Sequence, residues 1–201
     1  EVNGASLAIF NPNPVATITP SGPTTFCEGG SVTLQASAGT SYTWSNGSHG
    51  SSVFVTLTSN WQVTVTNAFG CSSTSAVTSV IENNNPNPVI SPSGPTTFCN
   101  GNSVLFSVGT YNGYDWKRNG VSVSNAATYS ATTTGIYSVT VTDANGCQGT
   151  ASNVPVMVNN VPLDTVHVKG VLTFCDGDSV VLTAASGNSW LWSNGATTKR
   201  L

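Results

Sequence analysis

Apolar residues in this chain recur at every second position in short runs, separated by clusters of Gly, Asn, Ser and Thr. Val32, Leu34 and Ala36 alternate with Thr33 and Gln35; Tyr42-Thr43-Trp44 follows, closed by the turn dipeptide Asn46-Gly47. Val53, Val55 and Leu57 alternate next, then Trp61, Val63 and Val65 against Gln62, Thr64 and Thr66, with a last strand near Ala76 to Ile81. No segment of useful length carries the helical period, so the pattern predicts an all-β chain.

The same pattern returns with different fillers. Val104, Phe106 and Val108 take the places of the first apolar trio, Tyr114 and Trp116 those of Tyr42 and Trp44, and Tyr137, Val139 and Val141 those of Trp61, Val63 and Val65. A third pass supplies Val180, Leu182, Ala184, Trp190 and Trp192 and then Asn194-Gly195. The segment Pro20-Ser21-Gly22-Pro23-Thr24-Thr25-Phe26-Cys27 recurs unchanged at Pro92 to Cys99 and, degraded, as Leu172-Thr173-Phe174-Cys175. Spaced by about 72 to 76 positions, these copies define a tandem array. The expected units are 14–85, 86–160 and the first half of a third repeat at 161–201. Residues 1–13 read as the last strand of a preceding repeat, since Ser6-Leu7-Ala8-Ile9-Phe10 before Asn11-Pro12-Asn13-Pro14 mirrors Thr78-Ser79-Val80-Ile81 before Asn85-Pro86-Asn87-Pro88. Half a sandwich cannot bury its own face, so the natural protein is expected to continue beyond Leu201. A strand at 1–10 completing a neighbour's truncated sandwich is the rival account.

Short alternating strands in units of this size, each with a tryptophan on the third strand, describe compact immunoglobulin-like β-sandwiches. Cysteines fall at 27, 71, 99, 147 and 175. Cys27 with Cys71 and Cys99 with Cys147 read as disulfides within a repeat, leaving Cys175 unpaired in this stretch. Closing loops of this length is worth about 4 kcal/mol each in the chain-entropy picture. Metal ligation is the rival, but the cysteines are isolated, with no Cys-x-x-Cys pair and only His49 and His167 beside them. Disulfides imply an oxidising, extracytoplasmic location. Each cysteine sits at a strand edge, so the bridge is expected to pin strand ends rather than cross the core.

Composition narrows function by exclusion. Only 6% of residues are charged, and solubility rests on Ser, Thr and Asn. The five basic residues are Lys117, Arg118, Lys169, Lys199 and Arg200, so the first 116 positions carry no cation with which to neutralise phosphate, and nucleic-acid binding is set aside. No apolar run is long enough to span a membrane, and Glu1-Val2-Asn3-Gly4 has no signal-peptide pattern; a signal would have been removed or lie outside this piece.

The motifs Phe-Cys-x-Gly-x-Ser-Val-x-Leu, Trp44-Ser45-Asn46-Gly47 with Trp192-Ser193-Asn194-Gly195, Val-Thr-Val-Thr and the following Gly-Cys resemble the immunoglobulin-like repeats of large secreted and cell-surface proteins of Bacteroidetes, such as gliding adhesins and type IX-secreted multidomain proteins. The resemblance covers essentially the whole chain. It implies an immunoglobulin-like fold and a cell-surface or secreted location. The missing chemistry, together with the near-identical link and entry motifs, points to a non-catalytic structural or adhesive segment, acting as a stalk or surface-filament array. Its partners would be neighbouring repeats or identical chains. A glycan-binding adhesion module, or an accessory spacer of a secreted hydrolase, is the alternative, with surface polysaccharide as a further partner.

Candidate chemistry is sparse. His49 lies in a loop with no counterpart in the second repeat, and His167 near a link, so neither reads as a catalytic base. Asp176 and Asp178 form the best carboxylate pair, yet Glu28 with Gly30 and Asn100 with Asn102 stand in their places, which reads as turn chemistry. No cofactor or metal is expected. An isopeptide cross-link needs a lysine, which the first repeat lacks. Tyr111, Tyr129 and Trp190 are the aromatics that could serve a sugar platform, though alternation turns Tyr129 and Trp190 inward; Tyr111 and Lys117 are the positions whose substitution would be expected to abolish glycan binding. Asn46-Gly47-Ser48 matches an N-glycosylation triplet. Asp164-Thr165-Val166 and Asp178-Ser179-Val180 resemble the Bacteroidetes O-glycosylation motif, making Thr165 and Ser179 candidate acceptors.

Overall fold

A computed structural model describes residues 10–162 and 164–201. The strand expected over Ser6 to Ile9 lies outside the described residues. Phe10 to Pro14 run without regular structure. Among the described residues the chain contains β-strands and no helix.

The first sandwich is built from nine strands: β1 (Ile18–Pro20), β2 (Thr25–Cys27), β3 (Val32–Ala36), β4 (Ser41–Trp44), β5 (Ser52–Val55), β6 (Ser59–Trp61), β7 (Val63–Thr66), β8 (Ser72–Thr74) and β9 (Thr78–Asn83). One layer has the order β1-β3-β5, all antiparallel. The other is assembled from β2-β9-β6 and β4-β7-β8, with β2 parallel to β9. Alternation along the strands fills the space between the layers. Val32, Leu34, Ala36, Val53 and Val55 from one layer meet Trp44, Trp61, Val63, Val65 and Val80 from the other. Leu57, expected to continue the inward face of β5, is instead exposed, because β5 ends at Val55 before the turn into β6.

The second sandwich repeats the order with β10 (Ser91–Pro92), β11 (Thr97–Cys99), β12 (Val104–Ser107), β13 (Gly113–Arg118), β14 (Val121–Ser124), β15 (Thr128–Ala131), β16 (Gly135–Thr142), β17 (Gln148–Thr150) and β18 (Val154–Asn159). Its layers are β10-β12-β15 and β11-β18-β16-β13-β14, with β17 also paired to β16. The core gathers Val104, Phe106, Trp116, Ala131, Tyr137, Val139, Val141 and Val156. This strand order, with the second strand of each unit parallel to its last at the edge of one layer and a buried tryptophan on β4 and β13, is an immunoglobulin-like sandwich twice over.

Two local differences separate the units, and each has a chemical cause. In the first, the strand corresponding to β16 is broken at Gln62 into β6 and β7. There the Gln62 amide donates to Ser45 Oγ (3.4 Å) and the Val63 amide to Ser75 Oγ (3.1 Å), so hydroxyls take the place of ladder partners. Lys117 and Ala151 occupy the corresponding positions in the second unit, no hydroxyl competes, and β16 runs unbroken over Gly135–Thr142. Secondly, β13 folds back through Asn119-Gly120 onto β14. Both turn residues have positive φ (50° and 80°), as a two-residue type I′ hairpin requires.

In the third segment β19 (Val166–Lys169) pairs antiparallel with β20 (Val181–Ala184), and Thr183 bridges Arg200. The Trp192 indole donates to the Thr198 carbonyl (2.7 Å), as Trp44 donates to Gly50 (2.8 Å) and Trp116 to Ala126 (2.9 Å). The Trp-Ser-Asn-Gly turn is formed in the same way in the first and third segments, where the Gly47 and Gly195 amides donate to the Trp44 and Trp192 carbonyls (2.8 and 2.9 Å), whereas in the second β13 runs on to Arg118 and only the indole bond is kept.

Candidate functional site: the junction between the sandwiches

Two turns meet at the junction. The opening turn follows β2: the Gly30 amide donates to the Cys27 carbonyl (2.8 Å), and Gly29 between them has φ 85°, a conformation that glycine adopts without steric cost. Cys27 lies opposite Asn83 in the parallel pairing of β2 with β9, and the Glu28 amide donates to the Asn83 carbonyl (2.8 Å). The turn is thus anchored where the first sandwich hands the chain to the link.

The closing turn of the second sandwich, Asp143 to Cys147, joins β16 to β17. Asp143 Oδ1 accepts from the amides of Asn145 (2.9 Å) and Cys147 (2.8 Å), while the Asp143 amide donates to the Cys147 carbonyl (2.9 Å). A side chain that caps its own loop in this way fixes the cysteine's position. Cys147 is fully buried.

The disulfide joins these two turns, Cys27 to Cys147, with Cα atoms 5.5 Å apart. This corrects the pairing expected from the sequence. Cys27 does not bond Cys71, and Cys147 does not bond Cys99; Cys71, Cys99 and Cys175 are free thiols. The physical reason lies in the topology. Parallel pairing with β9 places Cys27 at the end of the sandwich from which the chain leaves, beside the link, and the link delivers the second sandwich's closing turn to that place.

The link itself is held on both sides. Asn85 donates through Nδ2 to the Glu28 carbonyl (3.3 Å) and its amide approaches Glu28 Oε2 (3.5 Å). Pro86 lies against Gly149, two residues past Cys147: a Cβ on residue 149 would overlap the Pro86 carbonyl oxygen and come within 2.8 Å of its carbon. Glycine at 149 therefore permits the approach of the link.

The other candidates are dispersed. His49 is exposed and its Nδ1 lies 3.0 Å from the Tyr42 carbonyl, while His167 is exposed on β19; among the described residues neither has an acidic partner. Asp176 and Asp178 are exposed, with the Asp178 amide donating to the Cys175 carbonyl (3.1 Å) in a counterpart of the opening turn. No group of three metal-ligating side chains occurs among the described residues. Lys117 pairs with Asp115 (3.3 Å). Tyr111 is half-buried, edge-on to Tyr114 at 6.3 Å, and Tyr129 stacks on Trp116 at 6.1 Å, so both join the second core. Burial raises the Tyr129 phenol above its usual value, Tyr137 adds to the effect, and Arg118 opposes it. Trp190 and Trp192 line an open cleft of about 460 Å³ together with Asp164 and Thr165. Thr165 and Ser179 are exposed. Sequence reasoning missed Glu28, Asn85 and Gly149; the Asn-Pro pairs flagged the link but not what it touches.

No protein-family description and no curated protein matches this sequence. Among solved structures, the chain is similar to murine CEACAM1b at 11% identity over 72% of this chain and 100% of that one, with a TM-score of 0.38. It is similar to fibronectin(III)-like modules of Clostridium thermocellum CbhA at 14% identity over 71% and 94%, with a TM-score of 0.40. The same holds for a mouse coronavirus receptor-binding domain complexed with its murine receptor, at 11% identity over 72% and 100%, with a TM-score of 0.40. Likenesses this distant carry nothing about function, and the immunoglobulin-like assignment rests on the strand order itself.

Proposed function

We propose that this chain is a non-catalytic stalk segment of an extracellular, cell-surface or secreted repeat array, of the kind found in Bacteroidetes type IX-secreted proteins. Residues 14–85 and 86–160 are its complete units, and 161–201 open a further one. The observation that carries this reading is the Cys27–Cys147 bond, which joins the end of one sandwich to the closing turn of the next. A spacer must hold distance, and a covalent tie beside a proline-containing link opposes bending at the one place where a tandem array is weakest. The disulfide also favours an oxidising compartment. Exposed Thr165 and Ser179 would be accessible to glycosylation in such a place.

Small-angle X-ray scattering before and after reduction tests the stalk reading. A single preferred separation of the two sandwiches when oxidised, broadening on reduction, is the expected result; a freely jointed distribution in the oxidised protein would refute it. A second reading, glycan adhesion, draws on the cleft flanked by Trp190 and Trp192, since indole faces stack on sugar rings. Binding on a glycan array, abolished by Trp190→Ala, would support that reading, and an array with no bound sugar would remove it.

A further inference from the structure

The free thiols Cys99 and Cys71 stand in the same surroundings as the bonded pair. Cys99 ends β11 opposite Asn159, as Cys27 ends β2 opposite Asn83. The Asn100 amide donates to the Asn159 carbonyl (2.8 Å) as Glu28 does to Asn83 (2.8 Å), and the Asn102 amide closes the turn on the Cys99 carbonyl (3.1 Å). Cys71 closes a turn in which Asn67 Oδ1 accepts from the amides of Phe69 and Cys71 (3.0 Å each), the arrangement that Asp143 makes around Cys147. A link segment also already lies on Cys71. Its Sγ is 3.5 Å from the Asn11 carbonyl, and Asn67 Nδ2 donates to the Pro12 carbonyl (2.9 Å); Asn11-Pro12 has the sequence of Asn85-Pro86, the link that passes the bonded pair.

We infer that Cys99 and Cys71 are the two half-sites of the same inter-repeat bridge. Cys99 takes the closing-turn cysteine of the adjoining repeat on its side, and Cys71 takes the opening-turn cysteine of the adjoining repeat on the other. This deepens the stalk reading and rests on it: every junction of the array is then covalently tied, forming a ladder of disulfides in register with the repeats. Each partner is recognised by its chemistry: for Cys99 a Gly-Cys turn capped by Asn or Asp four residues before the cysteine, and for Cys71 a Phe-Cys-x-Gly opening turn. Forming each bond removes two protons and two electrons from a thiol pair. The Cys99 thiolate attacks the disulfide of a dithiol oxidoreductase, the turn cysteine displaces it from the mixed disulfide, and the oxidoreductase leaves as its reduced dithiol.

The test is alkylation without reductant followed by non-reducing peptide mapping of the protein purified from its native cells. The expected result is no maleimide on Cys99 or Cys71, and a Cys99 peptide linked to a closing-turn peptide of another repeat. An alkylated Cys99, or a Cys99 linked to Cys71, Cys147 or Cys175, would overturn the inference. The Cys99→Ser variant leaves both cores and the Cys27–Cys147 bond untouched. Proteolysis within 160–165 should separate its two sides on a non-reducing gel, while the unsubstituted protein stays joined; equal separation of both would also overturn it. Failure here leaves the stalk reading standing if scattering still shows one separation. A ladder found without a preferred separation refutes only the stalk.

Discussion

The two complete sandwiches share the order of their core strands, the tryptophan position and the geometry of the turns that carry the cysteines, yet their interiors are made of different material. In the first, Leu34 and Val53 surround an edge-to-face pair, Trp44 with Trp61 at 6.1 Å. In the second, Phe106 and Tyr129 stand at the positions of Leu34 and Val53, and Phe106, Trp116, Tyr129 and Tyr137 form a continuous aromatic cluster with centroids 5.5 to 6.1 Å apart. The backbone plan thus tolerates exchange of aliphatic for aromatic bulk as long as alternation is kept. What it does not leave to exchange is the pair of turns that carry the cysteines. Those turns are built alike in both units, and only the junction makes one pair of thiols bonded and the other free.

The sharpest break in the comparison comes from the cysteines of the two closing turns. Cys147→Ser should cost on the order of 4 to 5 kcal/mol, the chain-entropy value for closing a loop of about 120 residues. Cys71→Ser should leave denaturant unfolding of this chain unchanged. Equal effects of the two would abolish the distinction between the turns.

The cores come next. Phe106→Ala should destabilise the second sandwich by about 3 to 5 kcal/mol, since it opens a cavity and removes stacking on Trp116 and Tyr137. Near-ultraviolet dichroism should fall with it. Leu34→Ala, by about 2 to 5 kcal/mol, should lower only the first unfolding transition and leave that aromatic signal intact.

Smaller again is the link. Gly149→Ala places a Cβ on the Pro86 carbonyl and should cost about 1 to 3 kcal/mol while widening the scattering-derived separation. Ser73→Ala, the corresponding change in the first sandwich, should stay within about 0.5 kcal/mol.

The smallest effect is alkaline. The folded-state value of Tyr129 is raised by burial and by Tyr137, so the folded state holds that proton more tightly than the unfolded chain. Its contribution is complete below the unfolded value of about 10 and is lost as pH climbs through the higher folded value. The second sandwich should therefore loosen before the first, which has Val53 there. Tyrosinate absorbance followed alongside tryptophan fluorescence checks the order.

Much of this architecture was legible in the sequence because strand alternation is local. Val32, Leu34 and Ala36, or Tyr137, Val139 and Val141, announce an inward face without reference to anything distant, and they are buried or nearly so. Leu57 misled because alternation does not say where a strand stops. The hairpin at Asn119-Gly120 was written in a turn dipeptide and went unread. The disulfide was illegible for a different reason. In a translationally repeated chain, pairing within a unit and pairing with the next unit draw on the same cysteine pattern, and only the parallel placement of β2 against β9 decides between them. The edge position of the cysteines was the signal available, since a bond at a strand end is within reach of a neighbour in a way that a bond across a core is not.

The measurement closest to the central claim is a non-reducing peptide map of this chain after folding in a thiol–disulfide buffer. The Cys27 peptide should appear linked to the Cys147 peptide, with Cys71 and Cys99 carrying the alkylating label. A Cys27 peptide linked to Cys71, together with Cys99 linked to Cys147, would contradict the account and return each bond to the inside of its own repeat.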